Sequence, residues 1–127
     1  MAEGCVKQEA IMSADYLAIF TSDKTGPKWR AWRAMSEAQQ AETARVGVAA
    51  VAAWEEAHRD VIVYRGGPLG PTKRIGDDGV VSDVVNLLTV FMVVRADSFD
   101  AAARLFEDHP HMDPFPCDGV EVMPVLG

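Results

Sequence analysis

Side chains able to do chemistry gather in two stretches of this chain. The first is Asp108-His109-Pro110-His111-Met112-Asp113. Two imidazoles so close together, with carboxylates beside them, could supply a general base oriented by an acid. The catalytic candidates are therefore His111, His109 and Asp113. His-x-His with a nearby Asp is also a partial metal-ligand set. A helix end whose histidines cap free carbonyls would look the same. No complete ligand set stands out, and no metal site is assigned. The third imidazole, His58, falls at the end of a helical pattern, where a charged ring suits the dipole. Glu55 lies one turn earlier and could pair with it.

The second stretch covers residues 21–35. Lys24, Lys28, Arg30 and Arg33, four of the chain's twelve basic residues, lie there with Trp29 and Trp32 interleaved. In a chain of net charge -7 this is a local positive patch. A guanidinium fork matches a carboxylate or phosphate, and an indole offers an apolar wall to an aromatic body. Trp29, Arg30, Arg33 and, further along, Lys73 are thus the candidate ligand-binding residues for a small anionic or aromatic molecule. A solvated loop anchored by its tryptophans is the plainer alternative. The Gly66-Gly67-Pro68-Leu69-Gly70 run lacks the Gly-Lys-Ser/Thr of a phosphate loop. No nucleophile triad, Cys/His pair or cofactor fingerprint stands out, so no cofactor is expected.

The elements that must hold these groups follow from hydrophobic patterning. Residues 1–14 show no period and read as an irregular leader. Tyr16-Leu17-Ala18-Ile19-Phe20 is a short apolar run with polar flanks, a buried strand. Residues 21–35 read as a connection. Ser36-Glu37-Ala38-Gln39 is a capping box opening a helix. Ala44, Gly47, Val48, Val51 and Trp54 form its apolar face, and Gly47 there suggests close approach of the backbone to a sheet. Val61-Ile62-Val63-Tyr64 is a second strand. The Gly/Pro cluster from Gly66 to Pro71 should break regular structure between two similar halves. The connection onward to Asn86 is too long for a passive loop, so it either hides a strand near residues 72–75 or acts as a flap.

Leu87 to Arg95 is a strand apolar on both faces: Leu88, Val90, Met92 and Val94 on one, Leu87, Thr89, Phe91 and Val93 on the other. Both faces need cover. Ser98 is an N-cap for a second helix with Phe99, Ala102, Ala103 and Phe106 as its stripe. Val120-Glu121-Val122-Met123 is a last strand, with Pro124 marking an edge. The order is βαβ, hinge, βαβ: an α+β, ferredoxin-like βαββαβ fold, its antiparallel sheet carrying two helices on one face.

Composition sets outer bounds. A chain of 127 residues with 49% hydrophobic content fits one domain, over residues 15–127, beyond the leader. The acidic balance argues against a nucleic-acid partner. No apolar run approaches the roughly 20 residues that span a bilayer. The N-terminus lacks the order of a signal peptide, and Cys5 and Cys117 sit in no metal or redox spacing, so a reduced, cytoplasmic protein is expected.

Several short motifs resemble YCII-related (DGPF-type) proteins. Gly67-Pro68-Leu69-Gly70-Pro71-Thr72-Lys73 is similar to their Gly-Pro-Leu segment. Arg95-Ala96-Asp97-Ser98-Phe99-Asp100-Ala101-Ala102 is similar to their A-D-S-x-D-E-A signature. His109-Pro110-His111 and Val120-Glu121-Val122-Met123-Pro124-Val125 resemble their C-terminal Pro-His and V-E-V-x-P-V signatures. The resemblance implies a homodimeric α/β barrel, two sheets face to face around a cavity, which would cover the strand Leu87 to Arg95. It also implies a small-molecule ligand, often aromatic or chlorinated. In the enzymes among those proteins a His–Asp pair serves the cavity; here no histidine lies between the first strand and the first helix. Two function classes stay open: a cofactor-free acid–base enzyme, and a non-catalytic binding or accessory module on the same scaffold.

Overall fold

The computed structural model describes residues 13–127. Cys5 and nearly all of the expected leader lie outside them; Ala14, its last residue, already belongs to a strand. The elements are β1 Ala14–Thr21, α1 Pro27–Ala34, α2 Glu37–Ala57, β2 Ile62–Pro68, β3 Thr72–Ile75, β4 Val81–Val84, β5 Leu88–Ala96, α3 Phe99–Arg104 and β6 Gly119–Pro124, with a single 3-10 turn at Pro110–Met112. The main sheet is antiparallel in the order β2-β5-β1-β6, the ferredoxin-like arrangement. Strands β3 and β4 form a separate two-stranded sheet.

Alternation along the strands sorts the two faces. Tyr16, Ala18 and Phe20 of β1 and Met92 and Val94 of β5 are buried with Ala102 of α3 and with Phe106, just beyond that helix. Trp54 of α2 and Ile62 of β2 pack against that cluster. On the reverse face Leu17 opposes both Val93 and Met123, and Ile19 opposes Phe91. Among the described residues no helix lies there, and these side chains are only half-buried.

Local chemistry explains the helix limits. Ser36 accepts from the Gln39 backbone N–H at 3.1 Å, and the Gln39 side chain accepts from the Ser36 backbone N–H at 2.9 Å. Both bonds satisfy amides that the first turn of α2 cannot pair. Ser98 caps α3 in the same way, accepting from Ala101 N–H at 3.0 Å.

Several expectations are corrected. Residues 21–35 are not simply a connection, because α1 occupies their second half. The Gly/Pro cluster does not break the chain at Gly66: β2 runs through Gly66, Gly67 and Pro68. It can do so because β2 is an edge strand, where Pro costs no ladder bond, and because its pairing with β5 is irregular there. Gly66, at φ 68°, adopts a backbone angle that favours glycine. The strand suspected near residues 72–75 is present as β3, paired with β4. Gly47 faces no sheet. A β-carbon there would lie 2.5 Å from the Phe115 ring, so the glycine makes room for Phe115.

Candidate functional site

The segment after α3 is held between α2 and the sheet. Its 3-10 turn packs on α2, and Phe115 fits against Gly47. This wedge keeps α2 off the sheet and leaves a cavity of about 330 Å³ between them. Val48, Val51, Ala52 and Glu55 line it from α2, Phe20, Val90 and Met92 from the sheet, and Arg65 to Pro68 from β2. His109, His111 and Phe115 complete the wall. The resemblance to dimeric barrels places a cavity between two sheets; this one lies inside a single chain, between helix and sheet.

The two imidazoles have different surroundings. His109 is 4% exposed and sits among Phe20, Trp54 and Phe106, with ring centroids 4.8, 4.4 and 5.7 Å away. Its Nδ1 accepts from the His111 backbone N–H at 3.0 Å. The proton of the neutral ring is therefore on Nε2, which is buried without a hydrogen-bond partner. Burial, with smaller contributions from His111 and His58, pushes its pKa down to about 4. His111 is half-buried, with Phe20 and Phe115 rings each 5.1 Å from its own. Burial lowers its pKa as well. An apolar wall disfavours the charged form of both rings.

Charge enters the cavity at one place. Arg65 Nε donates to Glu55 Oε1 at 2.9 Å, with Arg65 well exposed and Glu55 largely covered. The pair thus spans the mouth. Glu55 does not meet His58 as expected. His58 stacks on Trp54 with its Nδ1 2.8 Å from the Trp54 carbonyl oxygen, a contact that caps α2.

The other candidates are dispersed. Asp113 is exposed and lines a separate depression with Lys28 and Trp32. Arg30 donates to the Thr25 carbonyl at 2.7 Å and Arg33 to the Lys24 carbonyl at 2.9 Å, so both serve the turn before α1. Lys73 pairs with Asp83 at 2.6 Å across the β3–β4 hairpin. Trp29 is half-buried under the cations of Lys24 and Arg33, 5.6 and 6.0 Å from its ring. His111, Arg30 and Lys73 therefore do not converge; of these three only His111 lines the cavity. Among the described residues no three His, Cys, Asp or Glu side chains are grouped to hold a metal. Sequence reasoning missed Glu55 and Arg65 as site residues. Their ten-residue separation carries no signal until α2 and β2 are laid side by side.

The fold has a solved counterpart. The chain is similar to 5-chloro-2-hydroxyhydroquinone dehydrochlorinase (TftG) from Burkholderia phenoliruptrix AC1100, in a structure of its complex with 2,5-dihydroxybenzoquinone. The TM-score is 0.52 and the identity 17%, over 88% of this chain and 93% of that one. At that identity the likeness concerns the fold. No family model matches the chain, and no curated protein sequence matches it. Among the described residues no helix is long and apolar enough to cross a membrane.

Proposed function

We propose that this chain binds a small hydroxylated aromatic molecule in the cavity between α2 and the sheet, and that His111 acts there as a general base. The observation that carries the reading is that two imidazoles, one of them buried, line one largely apolar cavity whose mouth holds the Arg65–Glu55 ion pair. A ring fits among Phe20, Met92 and Phe115. His111 takes the proton of the phenolic hydroxyl, and the guanidinium of Arg65 balances the phenolate left behind. His109 is a positioning residue in this scheme, since its Nδ1 holds the His111 backbone. The anion contact moves from the expected Arg30, Arg33 and Lys73 to Arg65, and Asp113 has no part. That the structural neighbour was solved with a dihydroxybenzoquinone supports the choice of ligand class. The YCII-type signatures and the bare apolar sheet face support assembly as a homodimer.

4-Nitrophenol tests the scheme, because its phenolate absorbs in the visible. The wild type should bind it and raise its phenolate fraction. His111→Ala should bind it without that rise, and Arg65→Ala should weaken binding about tenfold. Binding with no gain of phenolate in the wild type would point instead to a non-catalytic module. No binding of phenols at all would end the ring-site reading.

A further inference from the structure

Three hollows meet at one side chain. The ring cavity between α2 and the sheet is the first. The depression that holds Lys28, Trp32 and Asp113, of about 320 Å³, is the second. The third, of about 200 Å³, lies between α1 and the sheet. Among the described residues Phe115 alone lines all three. Between the ring cavity and the depression it is the only lining residue in common. Val90 and His111 share with it the boundary to the smallest hollow. The Phe115 side chain is thus a partition.

The chain around it holds the partition in place. The ring stands near both His111 and Trp32, with centroids 5.1 and 6.3 Å from its own. Its edge enters the notch at Gly47, where a β-carbon could not share the space. Pro114 and Pro116 restrict the backbone on both sides. Lys28 of α1 donates to the Met112 and Cys117 carbonyls at 2.9 and 2.7 Å, so one ammonium group fastens the segment before and after the ring. A side chain held this way yields little to a ligand that presses on it.

We infer that Phe115 is the size-determining residue of the ring site: with it in place the cavity takes a phenol of one ring, and without it the hollows run together and admit a second ring. The inference rests on the ring-site reading above. It narrows the ligand class from phenols at large to single-ring phenols. Small-molecule sites span roughly 300–1,000 Å³, and the ring cavity, at about 330 Å³, lies near the bottom of that range. Opened to its two neighbours it would more than double.

Calorimetry with phenol and with 2-, 3- and 4-phenylphenol tests this. The three isomers point the second ring in different directions, so one of them meets the partition whichever way the first ring lies. The wild type should disfavour that isomer relative to phenol. Phe115→Ala should shift the ratio of the two affinities about tenfold toward it. Because the ratio is taken within each protein, a general loss of packing does not mimic the effect. If no isomer gains on phenol in Phe115→Ala, the partition is overturned and the ring site stands. If Phe115→Ala does not fold, Phe115→Leu, which keeps an apolar group beside Gly47 but no ring, is read in the same two ways. Failure of phenol to bind the wild type overturns the partition together with the ring site.

Discussion

His109 is an imidazole placed where a phenyl ring would be expected. Phe20, Trp54 and Phe106 surround it, and its Nε2–H has aromatic faces rather than an oxygen for neighbours. Such a box tolerates the neutral ring and resists the cation. The consequence is a definite pH dependence. The unfolded chain takes up a proton at this residue near its ordinary value of 6.5, whereas the native ring resists it down to about 4. Between those values the unfolded state holds more protons, so stability falls as pH falls, by about 3 kcal/mol across the window. His111, also shifted down by burial, adds to the same slope. Urea denaturation at pH 7, 5.5 and 4.5 should show the decline, and His109→Gln should remove most of it. An unchanged slope in that variant would place the acid sensitivity elsewhere.

At the level of elements, β2 controls the mouth of the cavity. Gly66 stands at φ 68°, and a β-carbon there would lie 2.0 Å from the Phe91 carbonyl oxygen. Gly66→Ala should therefore cost about 3 kcal/mol or more, from the left-handed backbone and the clash together. Thermal unfolding measures it, with Gly67→Ala, where nothing lies near the added carbon, as the mild control. The elements differ in how openly the sequence announced them. The Ser36/Gln39 box and the continuous apolar run of β5 are local signals, so α2 and β5 were legible. Helix α1 was not, since it is eight residues long and its two apolar anchors, Trp29 and Trp32, are interleaved with Lys28, Arg30 and Arg33, a mixture that reads equally well as a charged loop. Pro27 at its first position was the available clue. The Gly/Pro run looked like a break because its place on an edge strand is a fact of the sheet, not of the run. The site divides the same way. His109 and His111 are neighbours in the chain and were visible at once. Arg65 and Glu55 join them only through the packing of separate elements. Arg30 and Lys73 had the right charge, but the turn before α1 and the β3–β4 hairpin use it locally.

For the whole molecule, the two faces of β5 give opposite expectations. Met92 is 3% exposed and lies in the core, so Met92→Asp should leave no cooperative fold. Phe91 lies on the face that carries Leu17, Ile19 and Val93, the surface assigned above to a second copy. The wild type should sediment as a dimer and Phe91→Asp as a folded monomer. A wild type that stays monomeric at micromolar concentration would contradict the assembly, though not the fold. The strand order has a separate consequence, for synthesis on the ribosome. β1 emerges before every other described strand, yet its two neighbours in the sheet are β5 and β6, the last of the described strands to emerge. The long helix and the β3–β4 hairpin can form on the nascent chain as they emerge, because their contacts are local. Tyr16, Ala18 and Phe20 must wait, uncovered, through most of translation. One of the two inner strands of the finished sheet is thus the part of the growing chain most in need of a chaperone.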